Sequence, residues 1–69
     1  MDQEYERAKA VADELETEYN AFTRAIDALI QAGRRLSPEA ARLARKRSEI
    51  KLAWDRVLGR IRRMEAEQQ

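Results

Sequence analysis

The stretch Gly33-Arg34-Arg35-Leu36-Ser37-Pro38-Glu39 decides the fold, because here alone two helix-punctuating residue types fall close together. Gly33 can end one helix as a left-handed C′ residue, having no Cβ to clash at positive φ. Ser37 can cap a following helix by accepting a hydrogen bond from an orphaned backbone N–H. Pro38 then falls at the first helical position, where its missing N–H costs nothing, and Glu39 favours the positive end of the helix dipole. The order is stop, turn, start, and it predicts the tip of a helical hairpin with its turn at residues 34–37.

Upstream of the tip the chain has no Pro, and Gly33 is its first Gly. Tyr5, Ala8, Ala12, Leu15, Tyr19, Phe22, Ile26 and Leu29 recur at alternating spacings of three and four. That period belongs to a coiled-coil seam and not to a strand. It predicts a helix over residues 2–33, roughly 48 Å long at 1.5 Å per residue. Downstream, Ala40, Leu43, Arg47, Ile50, Trp54, Val57, Ile61 and Met64 repeat the device and predict a second helix over residues 38–65. Gly59 lies opposite this seam, where it weakens the helix by about 1 kcal/mol without ending it. The tail from Glu65 loses apolar character and is expected to fray.

Two long helices joined by about four residues fold back on each other. The expected fold is therefore all-α: one domain, an antiparallel two-helix hairpin packed like a coiled coil. Two registers stay open. One sets Phe22 near Arg47, Tyr19 near Ile50 and Leu15 near Trp54, with Glu16 opposite Lys51; a half-heptad slip would set Tyr19 beside Trp54. The apolar stripe is wider than a two-stranded coil needs. Val11, Ala25, Ile30 and Ala32 flank it on the first helix, and Ala44, Ala53 and Leu58 on the second. A stripe of that width suits a helix with two neighbours. The pattern thus predicts a homodimer forming a four-helix bundle, or another helical protein in the second copy's place.

Composition narrows the function classes. A chain of 69 residues buries a limited fraction of its surface and needs staples, oligomerisation or idealised helix packing. It contains no Cys and no His, which removes disulfides and leaves no ordinary zinc ligand set. No cofactor or metal site is expected. The hydroxyls Thr17, Thr23, Ser37 and Ser48 have no base and orienting group in the pattern, so no nucleophile is activated. Asp13, Glu14, Glu16 and Glu18 read as a solvated acidic face, and no Gly-rich phosphate loop is present. The expectation is a protein that is not an enzyme and takes no small-molecule substrate. No apolar run is long enough to span a bilayer, and the acidic start of the chain is unlike a signal peptide, so a cytoplasmic location is expected.

Six residues are candidates for partner binding: Val11, Ile30, Arg47, Leu52, Trp54 and Leu58. Val11 and Ile30 border the first seam. Arg47 stands where the seam asks for an apolar residue. It is either a partner-binding or register-setting charge, or, as preferred here, a stem that covers the seam while its guanidinium reaches out toward a residue such as Glu18. Trp54 is a core residue first and an interface anchor second. Leu52 lies farthest from the seam and would mark a contact should it line up with Leu58 on a second face. Gly33, Ser37 and Pro38 serve the turn and caps.

Charge is segregated beneath a net value of +1. Residues 1–33 carry three basic and eight acidic side chains, net −5, whereas residues 34–69 carry eleven basic and five acidic ones, net +6. An acidic helix beside a basic one favours their mutual pairing. The same asymmetry raises a nucleic-acid reading through Arg42, Arg45, Lys46, Arg47, Lys51 and Arg56. The acidic neighbour, a sequence pI near 8.1 and the lack of aromatics among these cations speak against it.

The run Ala28-Leu29-Ile30-Gln31-Ala32-Gly33, followed by Leu43, Ile50, Trp54, Val57 and the Arg62-Arg63 pair, resembles the final two helices of a spectrin repeat. The first helix of that three-helix module is absent here, the turn is longer, and Arg47 replaces an apolar position. In length, hairpin layout and a Pro just after the turn, the chain is similar to the small hairpin co-chaperones of bacterial type III secretion, which hold a needle subunit together with a second chaperone. Both resemblances imply scaffolding between proteins. Function is therefore expected to be a protein–protein interaction or assembly module, with a small co-chaperone or adaptor as one alternative and nucleic-acid binding as the other.

Overall fold

A computed structural model describes residues 3–68 as two α-helices, α1 (Gln3–Gln31) and α2 (Pro38–Glu67), packed against each other. The fold is the expected all-α hairpin. Its Cα trace measures 50 × 14 × 14 Å, one helix long and two helices wide.

The reversal is built as the sequence dictates. Gly33 has φ +76°. Arg34 N–H reaches Leu29 C=O at 2.8 Å, and Gly33 N–H reaches Ile30 C=O at 3.0 Å. This pair of bonds is the Schellman closure, which satisfies carbonyls that the last helical turn leaves without partners. The first helix thus ends at Gln31, two residues short of the predicted 33, because the closing glycine lies outside the helix it stops. Position 2, the predicted start, lies outside the described residues.

At the far side Ser37 has extended backbone, and its Oγ accepts from Ala40 N–H at 3.1 Å. Pro38 follows in the first turn. Arg34 bridges back to Glu39 at 2.8 Å across the turn. Both partners are at least half exposed, so the pair contributes at most about 1 kcal/mol.

The second helix runs to Glu67, two residues beyond the predicted 65, and Gln68 caps it. Glu65, expected in a fraying tail, accepts a hydrogen bond from Tyr5 Oη at 2.7 Å. This contact ties the open end of the hairpin. It also fixes the register, together with Arg47 Nη1, which donates to Thr23 Oγ1 at 3.4 Å. Both pairs have residue numbers that sum to 70, close to the first register. Tyr19 lies between Arg47 and Trp54, its ring 5.7 Å from the guanidinium carbon and 5.8 Å from the indole centroid. The signature contact of the slipped register is thus present within the first one.

The core is thin. Among the described residues Ala8, Ala12, Ile26, Ala40 and Ile61 are the buried apolar ones, and no side chain is sealed completely. Tyr5, Trp54, Val57, Leu58 and Met64 pack partly buried around Ala8, Ala12 and Ile61. Every remaining large seam residue, from Leu15 to Ile50, is half-buried. Three of five buried residues are Ala, each contributing little apolar area.

Gly33→Ala should destabilise the hairpin by about 1–2 kcal/mol, the cost of a Cβ at left-handed φ, since no steric neighbour lies within 4 Å to add to it. Ser37→Ala should cost about 1 kcal/mol by loss of the cap. Urea unfolding of the two variants reads both values.

A candidate partner-binding surface along the hairpin flanks

Each helix carries one seam, so the hairpin presents two long flanks. One is formed by residues that follow seam positions: Thr23 and Ile30 on α1, and Ala44, Lys51 and Leu58 on α2. The other is formed by residues that precede them: Val11 and Ala25 on α1, and Ala53 and Arg60 on α2. Antiparallel packing brings like with like. Thr23 meets Arg47 beside the following flank, and Val11 shares a groove with Arg60 on the preceding one.

The six candidates are not gathered at one site. Val11 is 42% exposed and Ile30 45%, on opposite flanks. Leu58 is half-buried against the core cluster, whereas Leu52 is 60% exposed on the back of α2. Leu52 and Leu58 do not line up on a shared second face; six residues of helix turn them about 120° apart. Leu52 instead makes the outer rim of a shallow mid-helix groove with Tyr19, Arg47, Ser48 and Lys51.

Trp54 is half-buried in the seam against Tyr19, the two rings tilted by 47°. Arg47 also stays half-buried. Its head turns to Thr23 and the Tyr19 face, not to Glu18 as the sequence suggested. A planar guanidinium stacks on an aromatic face while its stem covers apolar surface, so the seam keeps a charge without losing its packing.

The charge asymmetry is hardly used inside the hairpin. Among the described residues both ion pairs are local: Arg34–Glu39 in the turn and Lys51–Asp55 one turn apart on α2. Lys51 thus pairs on its own helix, not with Glu16. No ion pair among the described residues joins α1 to α2. At the open end, Lys9 lies over the Tyr5 ring at 5.4 Å. The Tyr5 hydroxyl is held above its usual pKa, chiefly by donating to Glu65, then by lost solvation and the negative charges of Glu65 and Glu6.

One exposed apolar residue escaped the sequence reading. Leu36 at the tip is 96% exposed. Its signal was its place just before the cap residue, where a staple to the helix is usual. The staple position here is Ala41, too small to hold it. Among the described residues no three carboxylates group to hold a metal ion, and no helix is long and apolar enough to cross a membrane. The grooves are open and shallow, formed by the flanks and the tip. Comparison with protein-family models, curated proteins and solved structures gives no match.

Two outcomes follow. Trp54→Ala should cost about 2–3 kcal/mol in urea unfolding, below the roughly 3–5 kcal/mol of a sealed core aromatic, because the indole is only partly buried. Neutral Tyr5 is the form the fold favours, so its contribution is full below the ordinary phenol pKa of about 10 and lost as pH rises through the raised folded value. Helicity lost above that pH should be smaller in Tyr5→Phe than in the unaltered chain, by circular dichroism.

Proposed function

We propose that the hairpin is a non-enzymatic assembly module that self-associates through its apolar stripe, two copies forming a four-helix bundle. The observation that supports this is the unfinished core. Aromatic and aliphatic residues hold the seam, yet each large one except Ile26 and Ile61 stays half-buried. Burial is worth about 25 cal/mol per Å² of apolar area, so covering these exposed edges would be a substantial gain for so small a protein. The two flanks differ from a solvated helix surface in carrying Val11, Ile30, Ala44, Ala53 and Leu58 beside the seam. A second hairpin laid on one flank would convert this stripe into a closed core.

The charged exterior, with 39% Asp, Glu, Lys and Arg and no Cys, suits an aqueous reducing compartment, and a cytoplasmic setting is part of the proposal. An adaptor role follows from the same surface if its partner is a different helical protein.

Light scattering across a tenfold concentration range should give twice the 8.1 kDa chain mass. A well-folded monomer at every concentration would overturn self-association and leave the adaptor role. Duplex nucleic acid should not bind at low salt; binding that falls steeply as salt rises would replace the proposal with a phosphate-binding one.

A further inference from the structure

From the make-up of the turn we infer that the tip of the hairpin is a docking point for an anionic lipid surface. Leu36 enters the headgroup boundary, and the arginines around it hold lipid phosphates. The inference is independent of self-association, since it concerns the end of the rod and not its flanks.

Positive charge and apolar exposure are both concentrated at that end. Residues 24–46 carry six basic and two acidic side chains, net +4, whereas the rest of the chain carries eight and eleven, net −3. The six cations, Arg24, Arg34, Arg35, Arg42, Arg45 and Lys46, are all exposed. Among the described residues Arg34 pairs with Glu39, and the other five form no ion pair. Arg34 and Arg35 belong to the turn, and Arg42 lies about 6 Å beyond Pro38 at 1.5 Å per residue. All three stand within the roughly 8–10 Å over which charge acts at physiological salt. Leu36 is 96% exposed, the most open of the large apolar residues described, and Ile30, just before the closing glycine, is 45% exposed.

The order along the axis matches the profile of a bilayer interface. An exposed apolar side chain stands in the turn, two arginines precede it in sequence, and further cations follow up the helices. Long basic stems keep their heads at the phosphate level while apolar atoms go deeper. Stable attachment to a membrane needs two signals, and an apolar anchor with a basic patch supplies both. The negative remainder of the chain is repelled by the same surface, so the hairpin stands on its tip. A nucleic-acid duplex is the poorer fit. It asks for cations along a groove, whereas this rod offers only a 14 × 14 Å end, with acidic α1 beside the basic helix.

Vesicle flotation tests this. The chain should float with vesicles of phosphatidylcholine mixed with phosphatidylglycerol but not with phosphatidylcholine alone, and rising salt should release it. Each cation near an anionic surface is worth about fivefold in affinity, so Arg34→Glu with Arg35→Glu should lower binding by about 25-fold or more. Leu36→Ser should lower it about tenfold at unchanged charge. Arg56→Glu with Arg63→Glu, the same charge change toward the open end, should leave binding nearly intact. Circular dichroism checks that each variant is folded. An equal loss in both double variants would mean attraction by net charge and overturn the tip as the site. Unchanged binding of Leu36→Ser would overturn the insertion. Absence of flotation, or duplex DNA bound as tightly as the vesicles, would overturn the lipid surface as the partner.

Discussion

A helix with a single neighbour can bury only a narrow stripe, and everything else about this hairpin follows from that geometric limit. Each helix lays its three-and-four seam against the other. With no third surface to close over them, the seam residues keep one edge in water. The five buried residues are all seam positions, and three of them are Ala, which permits close approach but supplies little area. The hairpin is thus held by register and turn chemistry as much as by a core. The Schellman closure at Gly33, the Ser37 cap and the Tyr5–Glu65 bond fix its two ends.

Charge supplies what packing does not. The helices are oppositely charged, yet their charged groups, Arg47 apart, are exposed and make no ion pair across the seam among the described residues. Their effect within the hairpin is therefore a diffuse attraction that selects α1 against α2, with little energy from any one contact. The same groups remain available on the flanks, where a second molecule would meet them. Arg47 links the two scales. It interrupts the seam, stacks on Tyr19, and forms part of the wall of the mid-helix groove.

The fold was legible because its signals are local. Gly33, Ser37 and Pro38 act through their own backbone dihedrals and neighbouring N–H groups, and seam periodicity needs no knowledge of distant contacts. Helix ends were less legible. The first ends short because Gly33 closes it from outside, and the second runs on to Glu67, past Glu65, whose partner Tyr5 is 60 residues away in sequence. Arg47 was marked as exceptional, but its partners depend on register, and register is set by long-range contacts that periodicity leaves degenerate. The candidate surface was legible as a list of apolar residues and not as a site. Val11, Ile30 and Leu52 were correctly marked as bordering or lying outside the seam, but their distribution over two flanks and the back of α2 emerges only in three dimensions.

The central claim is that this core is completed by association. The most direct test is the thermal unfolding midpoint over a hundredfold range of chain concentration. Mass action over that range changes the apparent stability of a dimer by on the order of 2–3 kcal/mol, so the midpoint should rise by several degrees or more. A midpoint that does not move, in a chain that unfolds cooperatively as a monomer, would show that the half-buried seam is sufficient by itself and would contradict the account.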